Sequence, residues 1–151
     1  MYGNNWGITN EIYNLLRSSK DGVYAARLAD TSGYSPRTIV ESLTPLVAAN
    51  ILLSERKMVA TKSGNRVCRI FKINKYVHKR TTMNFLLFEQ IKAAPGKTYE
   101  ELRDSIGAKG IETREGLYNL HRQGLIKIDG SPRRIVYKTI RGRGIYPVGL
   151  R

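Results

Sequence analysis

The sequence is short of acid. Its 151 residues include 12 aspartates and glutamates against 26 lysines and arginines, a net charge of +14. An imbalance of that size points to a polyanionic partner, either nucleic acid or an acidic membrane surface. Cysteine is almost missing as well. One residue, Cys68, excludes an internal disulfide framework and fits a reducing, cytoplasmic setting. It sits in an alternating apolar run and reads as a small core residue. No apolar stretch approaches the roughly 20 residues of a membrane span. The opening residues, MYGNNWGITNEIY, lack the basic and apolar regions of a secretory leader. A membrane is therefore not expected as a partner.

Catalytic constellations are also thin. The two histidines, His78 and His121, have no second ligand at metal spacing. There is no Gly-Lys-Ser/Thr loop to cradle a phosphate. Glu100, Glu101 and Asp104 fall on one helix, whereas a two-metal nuclease draws its acids from separated elements. The expectation is a non-enzymatic protein with no cofactor and no metal.

What the chain does have is a repeat. At a fixed offset of 74, Leu28 falls on Leu102, Asp30 on Asp104, Gly33 on Gly107, Glu41 on Glu115, Leu43 on Leu117 and Leu46 on Leu120. Asn50 falls on Gly124 and Ile51 on Leu125. With 41% hydrophobic residues there is enough apolar material for two small cores.

Each copy parses the same way. A first helix spans about Ile8 to Ser19, and Asn84 to Ala93 in the second copy, on apolar residues at helical spacing. A short second helix follows, Tyr24 to Asp30 and Tyr99 to Ser105, the latter capped by Thr98. The third helix of copy one begins at Ser35, a good N-cap, with Pro36 at the first position. Asn50 suits a left-handed stop, and Pro45 predicts a kink or an interrupted helix. The third helix of copy two begins near Ile111 or Glu112, is weakened by Gly116 and stops at Gly124. Two β-rich segments follow each third helix. The first pair joins around Lys62-Ser63-Gly64-Asn65 and the second around Asp129-Gly130-Ser131-Pro132. The resulting boundaries are a domain over 1–74, a basic linker over 75–82, a second domain over 83–140 and a basic, mobile tail over 141–151. Trp6 is expected to pack on its own first helix, while Tyr34 and Tyr146 stay open as base-stacking candidates.

The order of elements, Gly33 and Gly107 before the third helices, and the junctions LVAANILLSE and LHRQGLIKID together resemble tandem winged helix-turn-helix proteins of the MarR and ArsR kind. The resemblance covers residues 8–73 and 83–140. It implies an α+β fold, mainly helical with small hairpins, and double-stranded DNA as the partner. Helix three of such a domain enters the major groove, and its hairpin wing touches the backbone or minor groove. Carried onto this chain, the reading face of copy one is Ser35, Arg37, Thr38, Glu41 and Ser42. Its wing offers Arg56, Lys57, Lys62, Asn65 and Arg66. Copy two offers Arg114 and Asn119 on its helix and Lys127, Arg133, Arg134 and Lys138 around its wing. Lys79 and Arg80 in the linker and Arg141 and Arg143 in the tail add charge. Glu112 and Glu115 oppose phosphate approach, so copy two is expected to lead with its wing.

The implied function is transcriptional regulation, with a homodimer or protein partner as a possible route of control. An architectural or replication-linked binder with little sequence preference is the alternative. A protein-interaction or RNA-binding winged-helix module is a further one.

Overall fold

The computed structural model describes residues 5–130 and 132–149. It is an α+β protein that divides into two compact units. One is Glu11–Val77; the other combines Met1–Asn10 with His78–Arg151. The division falls inside the first helix, α1 (Trp6–Leu16). The residues assigned to a linker, 75–82, are not all linker, because a helix begins at Lys79.

In the Glu11–Val77 unit, α1 is followed by a two-residue strand, β1 (Val23–Tyr24), then α2 (Ala25–Ser32) and α3 (Pro36–Ala48). Strands β2 (Leu52–Thr61) and β3 (Gly64–Ile73) form a hairpin of ten paired residues a side. β1 adds to the far edge of β3, giving the order β1-β3-β2. Ile12, Leu16, Ile39, Leu43, Leu46 and Phe71 are fully enclosed. Gly33 takes a left-handed conformation, φ 85°, and its N–H bonds the Ala29 carbonyl, which stops α2 without the strain a side chain would add. Asn50 stops α3 at φ 60°. Pro45 does not interrupt α3, which runs on to Ala48. Proline here removes its own N–H as a helical donor, and it lies in the last turn, where little helix follows it.

The second unit contains α4 (Lys79–Ala93), α5 (Tyr99–Ile106), α6 (Gly110–Arg122), β4 (Ile126–Ile128), α7 (Tyr137–Ile140) and β5 (Ile145–Pro147). A capping box starts α5, where Thr98 accepts from Glu101 N–H and Glu101 accepts from Thr98 N–H. Gly116 is buried in mid-helix because a Cβ there would run into Leu87 of α4. The glycine that weakens α6 by propensity lets two helices approach. Trp6 stands edge-on to Phe85 of α4, with ring centroids 6.1 Å apart, so it packs across helices and not only on its own.

The repeat extends further than the helices. α2 and α5 each have eight residues, α3 and α6 each thirteen, and each pair is offset by 74. Strand pairing keeps the same offset: Leu52↔Ile73 becomes Ile126↔Pro147, and Ser54↔Phe71 becomes Ile128↔Ile145. Even the Val23↔Phe71 pair returns, as an isolated bridge between Lys97 and Ile145. Two expectations are corrected here. The partner of β4 does not follow a turn at 129–132; it is β5, and Ser131 lies outside the described residues. Nor is 141–151 a tail throughout, since Ile145 is fully buried and Pro147 is enclosed. The intervening segment holds α7, with Ile135 and Ile140 turned inward, where copy one has the distal hairpin.

Ile145→Ala tests this. Removing a buried, strand-paired side chain is expected to lower stability by about 2–5 kcal/mol, read as a fall in the urea midpoint. A mobile tail would leave that midpoint unchanged.

Candidate nucleic-acid interface

The N-terminus of α3 is built locally. Ser35 Oγ accepts the Thr38 N–H at 3.2 Å, satisfying one orphan donor of the first turn. Arg37 follows, with its side chain 89% exposed, and its Nε donates to Glu41 Oε1 at 2.9 Å, one turn on. The guanidinium is otherwise exposed, and its remaining N–H donors can pair with a guanine edge or a phosphate. Ile39, Leu43 and Leu46 are buried on the other side. Ser35, Arg37 and Glu41 are exposed and Thr38 is half-buried. Ser42 departs from the expected reading face. It is buried, because its position three residues after Ile39 and beside Leu43 brings it to the edge of the apolar stripe. The Tyr34 hydroxyl donates to Glu11 at 2.7 Å, and that bond holds its pKa above the ordinary tyrosine value. Tyr34 thus ties α1 to the start of α3.

The wing residues Arg56, Lys57, Lys62, Asn65 and Arg66 are all exposed. Register divides them. Arg56 opposes Arg69 and Asn65 opposes Ala60 on one face, while Lys57 opposes Cys68 and Arg66 opposes Val59 on the other. Lys62 belongs to the turn between the strands. Lys57 also pairs with Glu55 at 3.2 Å.

In the second unit the picture differs. Lys79 and Arg80 open α4 and face α6. Lys79 Nζ lies 2.6 Å from Glu112, and Arg80 Nε 4.0 Å from Glu115. Glu112 also accepts the Lys109 N–H at 3.2 Å, capping α6. Burial is the largest single influence on Glu112 and raises its pKa. The hydrogen bonds from Lys79 and Lys109 and their charges together outweigh it, leaving the carboxyl below its ordinary range. These contacts were not legible in sequence, since opposite charges on different helices carry no local signal. Arg114 and Asn119, both half-buried, line a shallow depression with Arg80, Ile111, Tyr118 and Ile135.

The remaining cations scatter. Lys127 is exposed on β4, Lys138 on α7, and Arg133 and Arg134 on the segment before α7. Arg141 is exposed just after α7. Arg143 donates to the Asp129 carbonyl at 2.9 Å and so closes the base of that segment. Tyr146 lies on β5 beside Gly96.

No protein-family model matches this chain, and a search of curated proteins finds no significant match. The functional reading therefore rests on geometry and charge alone.

Lys79→Met tests the ion pair. A carboxyl with a depressed folded pKa contributes stability above its unfolded value, about 4.3 for glutamate, and that stability is lost as pH falls through the folded value. Wild type is expected to exceed the variant in stability near pH 7. The gap should narrow as Glu112 is protonated under acid, measured by urea unfolding across pH.

Proposed function

We propose that this chain is a non-enzymatic double-stranded DNA-binding protein made of two tandem winged helix-turn-helix units, acting as a transcriptional regulator. The observation that carries the reading is the repeated arrangement of a short helix, a left-handed glycine, a thirteen-residue helix and a returning strand, in a chain of net charge +14. In this reading α3 enters the major groove with its N-terminal turn, and Arg37, held by Glu41, pairs with guanine or clamps a phosphate. The hairpin cations contact the backbone. The second unit contributes through Lys127, Arg133, Arg134 and Lys138, because α6 turns its two carboxylates toward the cations of α4.

That last feature also favours a second reading, an architectural binder with little sequence preference. If one of the two long helices offers a neutralised face, less of the interface is available for base readout and more of the affinity comes from phosphates. Selection from a random duplex library near physiological salt separates the two. A sharp motif supports the regulator, a flat enriched pool supports the architectural binder, and no enrichment sinks both.

Binding is expected to weaken steeply with salt, since each neutralised phosphate releases counterions. A flat dependence of affinity on salt in a titration would remove the DNA reading. Arg37→Ala should relax preference at one or two positions of the selected site, at a cost on the order of 1–3 kcal/mol. An equal loss on all sequences would make Arg37 a phosphate clamp.

A further inference from the structure

The hairpin of the first unit carries an apolar pair that nothing in its own ladder covers. Met58 and Val67 oppose one another across β2 and β3, with 65% and 61% of their surfaces exposed. Residues two apart share a face of a strand. The same face therefore carries Leu52 and Phe71 at its enclosed base, then Arg56 opposite Arg69, then Met58 opposite Val67, then Ala60 opposite Asn65. Arg69 is anchored at the base, where it donates to Ser54 Oγ at 2.6 Å and lies over the Phe71 ring. Arg56 is exposed beside the apolar pair.

Charge decides what can cover that pair. Residues 52–73 hold six lysines and arginines against one acid, Glu55. An apolar protein face would have to desolvate those cations, whereas a polyanion pairs with them. A two-stranded ribbon can enter a DNA groove. Minor-groove binders combine this charge with apolar wedges that part adjacent base pairs and kink the duplex. The corresponding segment of the second unit, 129–144, makes no arm. Its Ile135 and Ile140 are buried, and its exposed apolar residues, Val136 and Tyr137, stand side by side at the start of α7 and do not face one another across two strands.

We propose that the β2–β3 hairpin is a DNA-bending arm, which lies in the minor groove and inserts Met58 and Val67 between neighbouring base pairs. It rests on the duplex-binding reading and adds a mechanical act to it. Arg56 on one face and Arg66 on the other reach the flanking phosphates, and Lys62 at the turn extends the charged track. Unstacking costs a few kcal/mol per step, so flexible pyrimidine–purine steps are the expected sites of insertion.

Ring closure tests the arm without a known target sequence. A duplex of about 100 base pairs is shorter than the persistence length of about 150 base pairs and rarely closes unaided. Wild type with DNA ligase should raise the yield of rings by roughly tenfold or more, as expected for a bend near the middle of such a stiff rod. Met58→Ala/Val67→Ala should still shift the duplex on a gel and return ring yield to that of DNA alone. Both side chains are exposed, and an unchanged urea midpoint checks that the fold survives. Met58→Leu/Val67→Ile, which keeps apolar bulk, should retain ring closure. A wild-type gel shift without rings overturns the arm alone, as does a double-alanine variant that closes rings as well as wild type. No shift by wild type overturns the duplex reading and the arm together. A wild-type dimer that becomes a monomer in the double-alanine variant, seen by sedimentation, makes the pair an interface between copies and also overturns the arm.

Discussion

Each unit is closed by one antiparallel pairing, between the strand that leaves the thirteen-residue helix and a returning strand that meets it seventeen positions on. Ser54 meets Phe71 and Ile128 meets Ile145 at the same register. The pairing brings an enclosed side chain, Phe71 or Ile145, under the helices and draws in a third segment at Val23 or Lys97. Without it the helices of either unit would lack a floor. The sixteen residues between those paired positions prolong the ladder into a hairpin in copy one and leave it in copy two, and these are what differ between the copies.

That constraint explains what was legible in the sequence. The helical stretches announced themselves through apolar spacing, the Ser35 and Thr98 caps, the turn glycines Gly33 and Gly107, and the stops at Asn50 and Gly124. These are local signals. The returning strand of copy two was not visible that way. Ile145–Pro147 is three residues long, follows an Arg-Gly-Arg-Gly run and ends on proline, so its neighbourhood reads as a basic tail. The offset of 74 carries the missing information, because it sets Phe71 on Ile145 and Ile73 on Pro147, apolar on apolar. Lys79 and Arg80 were misread for a related reason. A basic polar run looks like linker until the helix it opens has a partner, here the carboxylates of Glu112 and Glu115.

Ion pairing also separates the two long helices. On α3 the Arg37–Glu41 pair lies within one helix and stays exposed, so the arginine is oriented and still available. Exposed pairs of this kind add little to stability, on the order of 0.3–0.5 kcal/mol, and their weight falls on side-chain direction. On α6 the acids are met by cations from another helix, and Glu112 is partly enclosed while capping its own first turn. One helix keeps its charge facing outward; the other uses it to join two elements.

Among the described residues, the sheet order β1-β3-β2 leaves the outer edge of β2 unpaired along its whole length, and beyond the short β1 the distal part of β3 is unpaired on that side too. Such edges invite pairing with another chain, and lysine or arginine along them is a common guard. Arg56, Lys57 and Arg66 stand on those strands, and their like charge opposes the approach of a second ribbon. The guard weakens as salt screens it, over a distance of about 10 Å at 0.1 M and about 3 Å at 1 M. Concentrated salt thus lowers the barrier to edge pairing between two such ribbons.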